Sequence, residues 1–220
     1  MTQSDGELLA TANETLTNAL SLSGTSTIAA AHGKVLTEKA SGYSVAGGST
    51  LNFGAPGQDG TVLWDATGGS IGGPFPAINV QAGTLKGVGL SFLLDDSPIS
   101  VAAGATLDLT GNGTEFTDLT GGGSVIDSGA AATLTLDAAN FSGTISGALK
   151  LAFQGNATLS GLEDTTGGAT LNGAITVTNA GTYDIVANTN ITGSAGSSFV
   201  KFNPPFPATR NFRPTDAFAS

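Results

Sequence analysis

Apolar and polar positions alternate along this chain in short bursts. Leu107 and Leu109, Leu134 and Leu136, and Ile175 and Val177 each stand two residues apart, with Asp or Thr between them. A period of two built from Thr, Val, Ile and Leu predicts half-buried β-strands. The bursts run four to six residues and are punctuated by GNG, TGGG, SGA, SGTISG and NAG. Such spacing leaves no room for long helices.

The bursts are self-similar. A small residue followed by Thr-Leu recurs at GGSTL (Gly47 to Leu51), AGTL (Ala82 to Leu85), AGATLDL (Ala103 to Leu109), AAATLTL (Ala130 to Leu136), GNATL (Gly155 to Leu159) and GGATL (Gly167 to Leu171). The anchoring leucines lie 34, 22, 27, 25 and 12 residues apart, an insertion lengthening the first interval and an extra strand shortening the last. Short strands at a repeat of roughly 20 to 29 residues predict a parallel solenoid. Seven or eight turns stacked at about 4.8 Å would make a rod on the order of 35 to 40 Å long. Leu107, Leu109, Leu134, Leu136, Leu159, Leu171, Ile175 and Val177 are the expected core, and Trp64 continues the alternation of Val62 into it. An antiparallel β-sandwich is the alternative, since regular short strands also permit it.

Two segments depart from the repeat. In residues 5 to 22, Leu8, Ala12, Leu16 and Ala19 fit a helical stripe, while Leu16, Asn18, Leu20 and Leu22 fit a strand. Residues 1–25 are therefore expected to form a first coil or a cap, and 26–200 the parallel β-helix. Residues 201–220 form an extended tail with four prolines, four phenylalanines, both arginines and no glycine. Proline cannot donate to a ladder, so the tail is no central strand, and Phe202, Phe206, Phe212 and Phe218 are its candidate partner contacts.

Several boxes carry a family likeness. Phe53 to Val62 (FGAPGQDGTV), Asn140 to Gly147 (NFSGTISG) and the small-Thr-Leu units between Ser26 and Val200 resemble the β-strand-repeat passenger regions of bacterial autotransporters and related adhesin-like surface proteins. The resemblance implies a right-handed single-stranded parallel β-helix, exported to the cell surface or beyond as a stalk or adhesive rod. Its partners would be adjoining coils, further copies of the chain, or host and matrix glycans. The first residues, MTQSDGELLATANETL, lack a basic region followed by an apolar core, so the export signal is expected on sequence not present here.

Charge and composition narrow the function classes. The chain has 17 acidic and 7 basic residues, a formal charge of −10, which argues against capture of nucleic acid or of anionic membrane. It has no cysteine, so thiolate metal sites are excluded, and no apolar run long enough to span a bilayer as a helix.

Enzymatic constellations are sparse. β-Helices host polysaccharide lyases and hydrolases, and Asp95-Asp96 and Glu163-Asp164 are the carboxylate pairs available for glycoside cleavage. Neighbours on a strand point to opposite faces, however, and on a turn they are solvated. Between Lys39 and Lys150 the only basic residue is Lys86, too little charge for a cleft that binds acidic sugars. The lone His32 reads as a surface corner, and Tyr43 and Trp64 as candidate sugar-stacking rings, with Trp64 favoured as core. No catalytic residue and no cofactor are therefore expected. The one alternative is calcium at Asp59, Asp65, Asp108, Asp118, Asp127 or Asp137, which otherwise read as solvated corner residues. Asn-x-Ser/Thr occurs at Asn13, Asn112, Asn140, Asn156 and Asn190, near background for this composition.

Overall fold

The structure is a computed structural model of the 220-residue chain. It describes residues 1–40, 42–65, 69–71, 74–87 and 93–159, and the backbone alone of 163–165, 169–171, 175–177 and 201–202.

The strands follow one another coil by coil. The first coil holds β1 (Thr2–Ala10) and β2 (Glu14–Leu16), the second β3 (Leu20–Ala30) and β4 (Val35–Glu38). Next come β5 (Tyr43–Val45), β6 (Thr50–Phe53) and β7 (Thr61–Trp64), then β8 (Gly69–Ile71), β9 (Ala77–Val80) and β10 (Thr84–Lys86). The middle of the chain gives β11 (Ser97–Val101), β12 (Thr106–Asp108), β13 (Thr114–Gly121), β14 (Ser124–Leu136), β15 (Ala139–Phe141) and β16 (Thr144–Phe153). The last are β17 (Ala157–Leu159), β18 (Glu163–Thr165), β19 (Ala169–Leu171), β20 (Ile175–Val177) and β21 (Lys201–Phe202).

These strands pair in three parallel ladders that run the length of a right-handed solenoid of about seven turns. Ladder A contains the first half of β3, then β5 and β8, and later the ends of β14 and β16 with β19. Ladder B runs through β6, β9, β11, β13, β15, β17, β20 and β21. Ladder C runs through β2, β4, β7, β10, β12 and the starts of β14 and β16 to β18. Every pairing between named strands is parallel, and the one antiparallel bridge among the described residues, Ala55 to Gln58, lies inside a loop. The sandwich alternative is thereby excluded, because a sandwich needs antiparallel neighbours.

Parallel register explains how a period-two sequence builds a core. In ladder C, Leu36, Val62, Leu85, Leu107, Val125 and Ile145 stack in one inward row, none more than 2% exposed. In ladder B, Leu51, Ile78, Ile99, Leu119, Ala139 and Ala157 form a second inward row, all buried and none more than 7% exposed. Leu107, Leu109, Leu134, Leu136 and Leu159 lie in this core as the alternation predicts, and Trp64 is fully buried. Leu171, Ile175 and Val177 stand at core register positions on β19 and β20.

The helical stripe of residues 5 to 22 does not form. Thr2–Ala10 and Glu14–Leu16 are strands laid against β3 and β4, because parallel neighbours satisfy backbone groups that a lone short helix would leave open.

The small-Thr-Leu units mark no single position in the coil. Leu51 and Leu159 belong to ladder B, Leu85 and Leu107 to ladder C, and Leu134 and Leu171 to ladder A. Of the five spacings, only the 22 residues from Leu85 to Leu107 measure one turn. The others step between faces, so the first and last intervals need neither an insertion nor an extra strand. All three faces ask the same of a strand, an outward hydroxyl beside an inward leucine, so one local motif serves each.

Candidate functional surfaces and carboxylate corners

The outward positions form rows as regular as the inward ones. On ladder B, Thr27, Asn52, Asn79, Ser100, Thr120, Asn140 and Thr158 are register partners in succession, with Asn52 buried, Asn140 exposed and the rest half-buried. The Asn79 amide donates to Asn52 Oδ1 at 3.0 Å, and Asn52 Nδ2 donates to Thr27 Oγ1 at 3.5 Å. On ladder C, Thr61, Thr84, Thr106, Ser124 and Thr144 form a row of hydroxyls, with Thr144 Oγ1 donating to Ser124 Oγ at 3.0 Å. Hydroxyls and amides both donate and accept. Stacked about 4.8 Å apart along a rigid sheet, they make a polar face with a fixed repeat.

Acidic side chains gather where ladder C hands over to ladder A. Glu38 Oε1 accepts from the Ala40 N–H at 3.0 Å, Asp108 Oδ1 from Thr110 at 3.1 Å and Asp127 Oδ1 from Gly129 at 2.9 Å. Each carboxylate thus caps the amide two residues ahead and fixes the turn. Asp108 and Asp127 also clasp each other's coils: Asp108 accepts from the Ser128 amide and hydroxyl, and Asp127 from the Gly111 amide at 2.6 Å. The sequence reading placed both as solvated corner residues. They are 4% and 5% exposed, because the backbone donors of two coils replace their water.

A second acidic group lies on the outside of ladder A. Asp95 and Asp96 occupy the turn before β11, both exposed. Asp95 Oδ1 accepts from the Glu115 N–H at 2.8 Å, so it caps a strand. Desolvation raises the Glu115 carboxyl above its ordinary range, as do the charges of Asp137, Asp96 and Asp95 and a hydrogen bond with Asp137. Asp137 on the next coil thus joins Asp95 and Asp96 as a carboxylate near Glu115. Sequence reasoning paired Asp95 with Asp96 and missed Glu115, which register alone reveals: Glu115 pairs with Thr135, two residues before Asp137. Glu163 and Asp164 face Ile145 and Ser146 in the backbone register of ladder C.

The remaining candidates are dispersed. His32 Nδ1 and Asp59 Oδ1 meet at 2.8 Å on the surface, and hydrogen bonding to His32 holds the Asp59 carboxyl below its ordinary range. Asp65 pairs with Lys39 at 3.5 Å, and Asp118 lies half-buried on β13 in register with Pro98. Tyr43 and Trp64 are buried 5.2 Å apart, edge to face, and offer no stacking surface to a sugar. Phe202 stands in register with Val177 at the end of ladder B, whereas Phe206, Phe212 and Phe218 lie outside the described residues. Among the described residues, no three His, Asp or Glu side chains gather to hold a metal ion, and no helix is long and apolar enough to cross a membrane.

Protein-family models, curated proteins and solved structures give no match to this chain. Its geometry is thus the ground for a functional reading.

Proposed function

We propose that this chain is a non-enzymatic structural and adhesive segment of an exported bacterial surface protein, its ladder B face presented to glycans of a host or matrix. The observation that supports the reading is the outward row from Thr27 to Thr158, a periodic line of amides and hydroxyls on a stiff support. Sugars present hydroxyls at repeated intervals, and weak contacts repeated along a rigid face add through effective concentration. A charge of −10 directs the choice toward neutral rather than acidic glycans.

The test is binding of the purified chain to immobilised neutral and acidic glycans, beside a variant carrying Asn79→Ala and Asn140→Ala. Binding to a neutral glycan that weakens at least several-fold in the variant supports the reading. Equal binding by both proteins, or release of free sugar from the glycan, overturns it.

Self-assembly is the second reading, favoured by the edge that β1 presents among the described residues. In ladder B, β1 pairs with β3 and has no second partner among the described residues. Such an edge templates another parallel strand. End-to-end fibres in electron micrographs of the purified chain would support it, and separate short rods at high concentration would remove it.

A further inference from the structure

Glu38 is a carboxylic acid inside an apolar column. It ends β4 on the inward side, in register with Leu16 below and Trp64 above, and is 1% exposed. One oxygen takes the Ala40 amide, while Oε2 is buried without a hydrogen-bond partner. The rings beside it close the site: Trp64 is fully buried and packs edge to face on Tyr43 and on Phe53.

Among the described residues, no side-chain cation enters this column to balance an ionised Glu38. Just past the end of its strand stands Lys39, whose ammonium is turned outward to Asp65 beyond β7. From β2 the facing charge is Glu14, exposed and of the same sign. β5 contributes the Tyr43 phenol, which burial pushes above its ordinary range and so keeps neutral. Lys86 lies on the outward side of β10, in register with Leu63. The Met1 ammonium, which donates to the Ala19 carbonyl at 2.6 Å, offsets the charge only in part.

We infer that Glu38 is a proton-operated latch between the second and third coils: protonated, it rests in the core, and ionised, it drives the corner after β4 open. An ionised carboxylate oxygen without a partner in an apolar interior is strongly disfavoured, and the readiest escape is to move toward water. Desolvation accordingly raises the Glu38 carboxyl above its ordinary range, outweighing the Ala40 bond and the N-terminal charge. The native chain then holds a proton that the unfolded chain has released. Stability from this group is full below the ordinary glutamate range and is lost as pH rises through the raised value. Gln keeps the shape and the acceptor for Ala40 but cannot ionise.

Hydrogen exchange, expressed as protection factors, tests the latch in the parent chain and in Glu38→Gln. At pH 7.5, amides of β4, β5 and β7 should be better protected in Glu38→Gln, by about tenfold for each unit the native pKa is raised. The difference should vanish at pH 4, and amides of β14 and β16 should match throughout. Equal protection at both pH values, or poorer protection of Glu38→Gln at pH 7.5, overturns the inference. Should Glu38→Gln not fold, carboxyl resonances of 13C-labelled glutamate decide the matter in Glu115→Gln, which removes the other glutamate raised among the described residues. One resonance titrating above the rest keeps the latch, and none doing so removes it.

Discussion

Two stretches of the same solenoid spend their residues differently. Ladder B advances one coil over the 25 residues from Ile28 to Phe53 and the 27 from Phe53 to Val80. From Val101 to Gly121, Gly121 to Phe141 and Phe141 to Leu159 it needs only 20, 20 and 18. The extra residues of the long coils leave the ladder at its corners, as in the loop from Gly54 to Gly60, which closes on itself through Ala55 and Gln58. The long coils also carry the aromatic group Tyr43, Phe53 and Trp64 and a buried acid. In the short coils, β14 and β16 run through the C to A corner without leaving strand conformation, and the buried carboxylates there are clasped by backbone amides. The short coils are clasped by backbone amides at their corners, and the long ones add an edge-to-face aromatic group and longer corner loops.

That contrast predicts where damage spreads. In a solenoid each coil touches only its neighbours, so stability is close to a sum of local terms. Leu134, fully buried, pairs with Thr114 below and Leu151 above on ladder A. Leu134→Asp places an unpaired charge in the tight half, at a cost of several kcal/mol, and should abolish cooperative unfolding of the coils from β13 to β17. Circular dichroism on heating checks this. Melting at the parental temperature would remove the short coils from the stabilising core.

Trp64→Ala is the matching lesion in the long coils. Losing the ring leaves Tyr43 and Phe53 without their shared neighbour, at a cost of about 3–5 kcal/mol. The loss should appear as faster hydrogen exchange in β5, β6 and β7 and leave β14 to β16 unchanged. Equal loss along the whole rod would show that the two stretches unfold as one unit, against the nearest-neighbour picture.

The parallel solenoid was legible in the alternation because that pattern is local: a strand with one buried face must read apolar at every second place. Leu107, Leu109, Leu134 and Leu136 carried that signal without knowledge of their partners. Register was not legible, since the small-Thr-Leu unit suits all three faces and no local feature says which it occupies. What depends on register was hidden with it, including the proximity of Glu115 to Asp137 and the clasp between Asp108 and Asp127. Glu38 was within reach: Val35-Leu36-Thr37-Glu38 alternates, and the period that puts Leu36 inside puts Glu38 inside too. The habit of assigning acids to the surface hid it.

The smallest expected effect separates backbone closeness from backbone conformation within the short coils. A Cβ on Gly143 would run into the Gly123 carbonyl oxygen of the coil beneath, and would also meet the Phe141 ring at 2.6 Å. Gly104, on a corner with φ of +83°, has nothing within 4 Å of such a Cβ. Gly143→Ala must therefore push two coils apart, about 1–3 kcal/mol of overpacking, while Gly104→Ala costs about 1 kcal/mol, from strained φ alone. If register holds the short coils, the Gly143 change should speed exchange of the Thr144 amide, which donates to Gly123 at 2.9 Å, and of its neighbours in β15 and β16. Gly104→Ala should lower the melting temperature slightly and leave those amides as they were. Equal local exchange in the two variants would mean that the coils have slack between them, and the tightness inferred from their 18 to 20 residue spacing would belong to the turns instead.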